Sequence, residues 1–143
     1  MSDLSDTPLM RKVEPFEVSQ AWQFVEPGLQ EIIRQCPTVP WTPVDVRRCL
    51  WRGEAVLYVH EDGFVIVQRS AEPISGAPYL NVWAMWFRAG AASPFKAQLI
   101  EWIDQTCRAT CCEWWEGTST REGWGRALYG VCDVAMVTWR RRP

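Results

Sequence analysis

The sequence contains very little histidine, since His60 is the single one among 143 residues. A metal site built on paired histidines is therefore excluded, and no serine–histidine–acid arrangement can be argued. The six cysteines do not replace the missing ligands, because none of them is spaced as C-x-x-C. We predict no metal site and expect free thiols that pack as small hydrophobic residues. His60 ends a predicted strand, where we expect it at the surface.

Long apolar runs and a strong charge imbalance are also absent. No run approaches the ~20 apolar residues that cross a membrane, and the first ten residues lack the basic start and apolar stretch of a signal peptide. Fifteen basic and seventeen acidic residues give a formal charge of -2, which provides no strong field for nucleic acid. We therefore expect no membrane partner, no direct nucleic-acid contact and a reducing, cytoplasmic location.

Tryptophan, by contrast, is abundant, with ten residues in the chain. A small core does not easily absorb ten indoles, so two readings stay open: core packing with each indole N–H bonded, or an interaction surface. The length and the ordinary apolar content predict a single domain. We place it at residues 12–140, between a loose terminus at 1–11 and a basic tail at 141–143.

The first elements are predicted from apolar spacing and from proline. Residues 12–18 have strand character, but Pro15 restricts them to a sheet edge or a strand start. Ser19 can cap a helix whose apolar stripe continues to Ile33. Pro27 and Gly28 interrupt that stripe, so we expect a kink or two short helices.

A second helix and a hairpin follow. Thr42 and Pro43 fit an N-cap and a first helical position, and Gly53 fits the end of that helix. Residues 54–70 contain two β-rich runs joined at Asp62-Gly63, which is a strong turn signal.

The remaining pattern alternates strands and helices. Residues 79–87 form a strand that is apolar on both faces and therefore lies inside the sheet. A helix starts at Ser93, a strand covers 110–116, a helix loosened by two glycines covers 119–130, and a last strand covers 132–139. The order β-α-α-β-β-β-α-β-α-β predicts an α+β fold with a mixed central sheet and helices on both faces.

This order and three short motifs carry a resemblance. The motifs are Trp22 with Val25-Glu26-Pro27 and Leu29, then Arg52-Gly53-Glu54, and finally the stretch 121–128, REGWGRAL. Over residues 12–140 the chain resembles the GNAT acyltransferase superfamily, and more narrowly small bacteriophage proteins of that fold. The resemblance implies acetyl-CoA as cofactor.

The loop after the predicted strand at 79–87 is the cofactor site that this resemblance implies. GNAT enzymes hold pyrophosphate with Q/R-x-x-G-x-G/A at the start of a helix, where backbone N–H groups face the phosphates. Here that place is taken by Arg88, Ala89, Gly90, Ala91, Ala92 and Ser93. Gly90 and Ala92 match the pattern, whereas Arg88 lies one position too close to the glycine. A plain loop that starts a helix is the alternative.

The resemblance also implies a general acid and a general base. Tyr129 in the turn Ala127-Leu128-Tyr129 corresponds to the tyrosine that protonates the leaving thiolate, and a packed structural tyrosine is the alternative. The base is normally a glutamate near the third or fourth strand, but residues 79–87 contain no acid. Glu72 lies in the preceding loop. Of Glu113 and Glu116, which are three positions apart, at most one can point into a cleft.

Two functions of different classes therefore remain, of which we predict the first, and the second is the alternative. The missing base, the displaced arginine and the surplus of tryptophan favour a catalytically degenerate bacteriophage protein that serves as a virion or morphogenesis component. Such a protein would have other phage subunits as partners and would reside in the host cytoplasm or the virion. The topology, Gly90 and Tyr129 favour an acetyl-CoA-dependent N-acyltransferase.

Overall fold

Five strands and three α-helices make up the part of the chain that the computed structural model describes, namely residues 9–91, 93–117, 132 and 141–142. The strands are β1 (Arg11–Val13), β2 (Val56–His60), β3 (Gly63–Ala71), β4 (Pro78–Phe87) and β5 (Trp114–Gly117). The helices are α1 (Val18–Gln35), α2 (Pro43–Trp51) and α3 (Lys96–Ala109). The predicted helix at 119–130 and the predicted strand at 132–139 lie outside the described residues, Cys132 excepted.

The strands form one mixed sheet in the order β1-β2-β3-β4-β5. Neighbouring strands are antiparallel from β1 to β4, whereas β5 runs parallel to β4 after the α3 crossover. The predicted hairpin and its pairing with residues 79–87 are confirmed. The two-residue turn is Glu61-Asp62, one position earlier than predicted, and Gly63 already pairs with His60 in the ladder.

Helices cover both faces of the sheet, as predicted. Alternation along β3 sends Phe64 and Ile66 toward α1 and α2, and sends Val65 and Val67 toward α3. All four are at most 3% exposed, so β3 is the centre of both cores. The α+β class with a mixed central sheet is therefore confirmed.

Helix α1 is one continuous helix, so the predicted kink or division at Pro27-Gly28 is wrong. Pro27 and Gln23, four residues earlier, are both exposed, so the carbonyl that loses its helical partner lies on the solvent side. Gly28 faces the sheet, where an added Cβ would lie 2.6 Å from Phe64 Cε1 and 2.8 Å from Trp86 Cδ2. The glycine allows close approach of helix and sheet.

Gly28→Ala is expected to lower the free energy of unfolding by about 1–3 kcal/mol, because its methyl group overpacks the contact with Phe64 and Trp86. Helix propensity alone predicts the opposite, a gain of about 1 kcal/mol. Urea denaturation measures the sign, with Gln20→Ala at an exposed position of α1 as the control. A stability gain at position 28 would contradict the close packing.

The ends of several elements differ from the prediction. The first strand covers only Arg11–Val13 at the sheet edge, because a 3-10 turn starts at Pro15. Glu17 rather than Ser19 precedes α1.

The Thr42 N-cap is confirmed: its hydroxyl accepts the Asp45 N–H, and the Asp45 carboxylate accepts the Thr42 N–H. That second bond is the main reason that the pKa of Asp45 is lowered.

Candidate active site

Strand β4 extends beyond the part of its partner β5 that the structure describes. The two strands pair only from Tyr79 with Trp114 to Val82 with Gly117. Residues 83–87 continue β4, and residues 84–87 pair with β3 on one side. Among the described residues, no strand pairs with their other side. Within the described ranges, the backbone N–H and C=O groups on this edge therefore have no strand partner.

A β-bulge marks the point where the pairing with β5 ends. Ile66 pairs with Ala84 and Val67 pairs with Val82, so Trp83 is an extra residue on β4. The bulge places Trp83 and Ala84 on the same face of the sheet, toward α1 and α2. The centre of the Trp83 ring lies 5.4 Å from that of Trp41, a residue of the loop between α1 and α2. Bulges of this kind redirect side chains beside active sites.

Glu116 is the carboxylate on β5 closest in register to this bulge. It pairs with Asn81, one position before Val82, and shares its face with Trp114. The Trp114 indole N–H donates to Glu116 Oε1 at 2.9 Å, and Trp114 stacks on Tyr79 at 5.3 Å. The intervening Trp115 points to the other face, where it donates to Asp104 of α3 at 2.7 Å. Glu116 therefore faces the same side as Trp83.

The other acids considered from the sequence lie elsewhere. Glu113 precedes β5, and its N–H donates to the Pro78 carbonyl at 2.8 Å. Glu72 lies in the loop before β4, at the far end of that strand from residue 87. Its carboxylate accepts the N–H groups of Ser75 and Ile74, and mainly the Ser75 bond lowers the pKa of Glu72. It is thus bound within its own loop.

The predicted phosphate loop directly follows β4. The Arg88 N–H donates to the Asp62 carbonyl at 2.7 Å, and the Ala91 N–H donates to the Arg88 carbonyl at 2.9 Å. Gly90 has φ +78°, and a Cβ there would meet nothing within 4 Å. Ala89 is exposed like Arg88 and Gly90.

The helix after this loop begins later than predicted. Ser93 opens a 3-10 turn, Ser93–Phe95, and α3 starts at Lys96. Ser93 is therefore not the N-cap of the α-helix. Ala92 lies outside the described residues.

His60 joins the hairpin turn to this loop, and the expectation that it lies at the surface is wrong. Its side chain is only 18% exposed and stacks on Phe95 at 4.9 Å. Nδ1 accepts the Asp62 N–H at 3.1 Å, which places a neutral imidazole's proton on Nε2. Asp62 Oδ1 lies 4.0 Å from Arg88 Nε. This contact network holds the start of the loop against the sheet.

Thiol and metal chemistry gain no support from the described residues. Burial raises the pKa of Cys49 and Cys107, so neither thiol is activated as a nucleophile. Cys111 and Cys112 lie in the connection between α3 and β5 rather than on a strand as predicted, and Cys111 has φ +59°. The described ranges contain no group of three potential metal ligands. Tyr129 lies outside them.

The bulge and the position of Glu116 relative to it could not be predicted from the sequence. Both depend on register, because β3 must skip Trp83 and β5 must place Glu116 opposite Asn81. The only signal was the parity of positions 113 and 116, which left the choice between them open.

No helix in the described ranges is both long and apolar enough to cross a membrane.

Comparisons with known proteins give a fold but no sequence relative. The sequence matches no family model, and no curated protein matches it. Solved structures do match over nearly the whole chain. The ribosomal-protein-alanine N-acetyltransferase of Brucella melitensis biovar Abortus 2308 is similar at TM-score 0.66 and 14% identity, covering 93% of this chain and 98% of that one.

Two further solved structures are similar to the chain. An aminoglycoside acetyltransferase from an uncultured soil metagenomic sample has TM-score 0.67 and 12% identity, covering 94% of this chain and 96% of its own. A putative acetyltransferase from Arthrobacter sp. FB24 has TM-score 0.66 and 11% identity, covering 99% and 100%. With the mixed sheet, the bulged β4 and the loop at its end, these similarities identify the architecture of this chain as the GNAT acetyltransferase fold.

Proposed function

We propose that the protein is an acetyl-CoA-dependent N-acyltransferase. The observation that carries the proposal is the edge of β4 between the bulge at Trp83 and the loop at Gly90, which no strand of the described residues covers, with Glu116 on the strand beside it. An extended ligand with amide groups can bond to such an edge, as an added strand does. Coenzyme A has an amide-bearing arm and a pyrophosphate, and it therefore fits both the edge and the loop.

The loop fits a pyrophosphate because its backbone is accessible. Gly90 adds no side chain, and the space where a Cβ would lie is open. In our proposal the N–H groups of residues 89–93 bind the phosphates, apart from that of Ala91, which donates to the Arg88 carbonyl, as N–H groups at the start of a helix commonly do. Arg88 contributes positive charge at the entrance of the loop.

Two side chains are assigned to proton transfer. Glu116 accepts a proton from the acceptor amine, directly or through one water, since a general base must reach that proton. Tyr129 donates a proton to the departing thiolate, a role that rests on the GNAT resemblance. When bound, acetyl-CoA supplies the acetyl group as a thioester.

Gly90→Asp is expected to abolish coenzyme A binding, measured by calorimetric titration, because a carboxylate then lies against the pyrophosphate. Gly90→Asn is the matched control. Asparagine and aspartate both tolerate the positive φ of this position better than other side chains and have nearly the same size, so only charge separates the variants. We expect at least a tenfold weaker Kd for Asp than for Asn, about 1.4 kcal/mol. Equal affinities of both variants and the wild type would exclude this loop.

The second candidate is a catalytically degenerate interaction component. It is favoured by one contact: the Asp62 carboxylate approaches Arg88, so the cation of the loop already has an acidic neighbour. The bacteriophage setting, a place in the virion, phage subunits as partners and the host cytoplasm belong to this candidate and rest on resemblance alone. Titration of the wild type with acetyl-CoA separates the candidates, because the degenerate protein should not bind it.

A further inference from the structure

Arg47 of α2 contacts two indole rings. Its guanidinium carbon is 5.5 Å from the centre of the Trp22 ring and 5.1 Å from that of Trp51. One terminal nitrogen donates to Ser19 Oγ at 3.5 Å, which is a long hydrogen bond. Nε is buried without an acceptor, and no carboxylate lies within 4.0 Å among the described residues. The arginine is therefore a cation without an anionic partner in the described part of the chain.

The position of this guanidinium suits a planar anion. Cation–π attraction to the Trp22 and Trp51 rings stabilises its charge, and these contacts with the bond to Ser19 restrict its position. The edge of the guanidinium matches a carboxylate in the bidentate geometry that a lysine cannot provide. Fixing the side chain in advance lowers the entropy lost on binding.

The surroundings of Arg47 form one exposed face of α2. Val44, Arg47, Arg48 and Trp51 follow the i, i+3, i+4, i+7 spacing and define what we call the Arg47 face. Val44 is 67% exposed and Trp51 is 57% exposed, whereas Val46 and Leu50 are buried in the core. Tryptophan and arginine are the residues that most often dominate protein–protein binding energy.

Charge on this face identifies the kind of partner. The face has two arginines and no acid, and Arg48 has only an exposed ion pair with Asp45 at 3.6 Å. Such surface pairs contribute little, so a partner's carboxylate can replace Asp45. The exposed Val44 and Trp51 beside the arginines fit a polypeptide that carries apolar side chains next to its carboxylates.

We propose that the Arg47 face binds an acidic segment of a protein partner, with a carboxylate on Arg47 and an apolar side chain on Trp51. Its residues differ from those that we assign to acyl transfer, so this proposal does not depend on that activity. It also accounts for one exposed tryptophan that the proposed activity does not use.

The test is an NMR titration of the full chain with three capped octapeptides. They alternate leucine with glutamate, glutamine or lysine. Binding is followed by the indole N–H signal of Trp51, assigned with Trp51→Phe, and the Nε–H signal of Arg47. We expect saturable shifts of both signals with the glutamate peptide, and affinities about 10–100-fold weaker for the other two.

Variants make the outcome specific. Arg47→Gln and Arg47→Lys should each weaken binding of the glutamate peptide at least tenfold, the lysine variant because it keeps the charge but loses the fork. Arg34→Gln, at an exposed arginine near the end of α1, should leave binding unchanged. Equal binding of the glutamine peptide, shifts confined to other residues, or tighter binding of a single-stranded thymidine oligonucleotide at the same salt would overturn the proposal.

Discussion

Glu116→Gln is expected to lower turnover by ~10²–10⁴-fold, the usual contribution of a general base, while the affinity for acetyl-CoA stays unchanged. Glutamine keeps the size of the side chain and an oxygen that can accept the Trp114 indole N–H. It cannot take up a proton at neutral pH. The rate is measured as the release of free thiol from acetyl-CoA with a panel of primary amines as acceptors, and the affinity by calorimetry.

Two carboxylates provide controls for that experiment. Glu113→Gln should have no effect, because Glu113 precedes β5 and is not on the strand that places Glu116 beside β4. Glu31 of α1 is the nearest rival, since its Oε2 accepts the Trp86 indole N–H at 2.9 Å on that same face of the sheet. A loss of turnover in Glu31→Gln together with full activity in Glu116→Gln would assign the base to α1 and refute our assignment.

The elements predicted correctly are those fixed by local signals. The Thr42 capping box, the hairpin and the apolar strand at 79–87 each depend on residues a few positions apart. The prediction for α1 was wrong because Pro27 and Gly28 were interpreted as local breakers. Pro27 lies on the exposed side of the helix, and Gly28 packs against Phe64 and Trp86, 36 and 58 positions away. Which side of the helix meets the sheet is determined by tertiary packing.

The candidate site was predictable only in part, for the same reason. The loop at Gly90 follows from a short motif after a strand. The burial of His60 requires Phe95 of the turn before α3, and the position of Glu116 requires the register between two parallel strands. Register reverses which face a residue occupies with every one-residue shift, so parity alone could not choose Glu116.

Tyr129→Phe separates an enzyme from a binding scaffold. If Tyr129 is the general acid, the variant should lower turnover ~10²–10⁴-fold without weakening acetyl-CoA binding, because only the proton donor is lost. If the protein is a scaffold, the same change should lower only stability, by about 1 kcal/mol, the contribution of one hydrogen bond. Thiol release and urea denaturation of the same preparation measure both quantities. Tyr129 lies outside the described residues, so this prediction rests on the turn Ala127-Leu128-Tyr129.

Tyr58→Phe is the matched control, since it removes a hydroxyl from a different part of the sheet. Tyr58 lies on β2 and packs edge-on against Trp102 of α3 at 4.8 Å, on the opposite face of the sheet from Glu116. Its variant should keep full turnover. Loss of turnover in Tyr129→Phe alone, at unchanged stability, would support the acyltransferase and exclude the degenerate scaffold. Full turnover in both variants would likewise exclude the degenerate scaffold but remove Tyr129 as the acid, and the leaving thiolate would then depart without a proton from this residue.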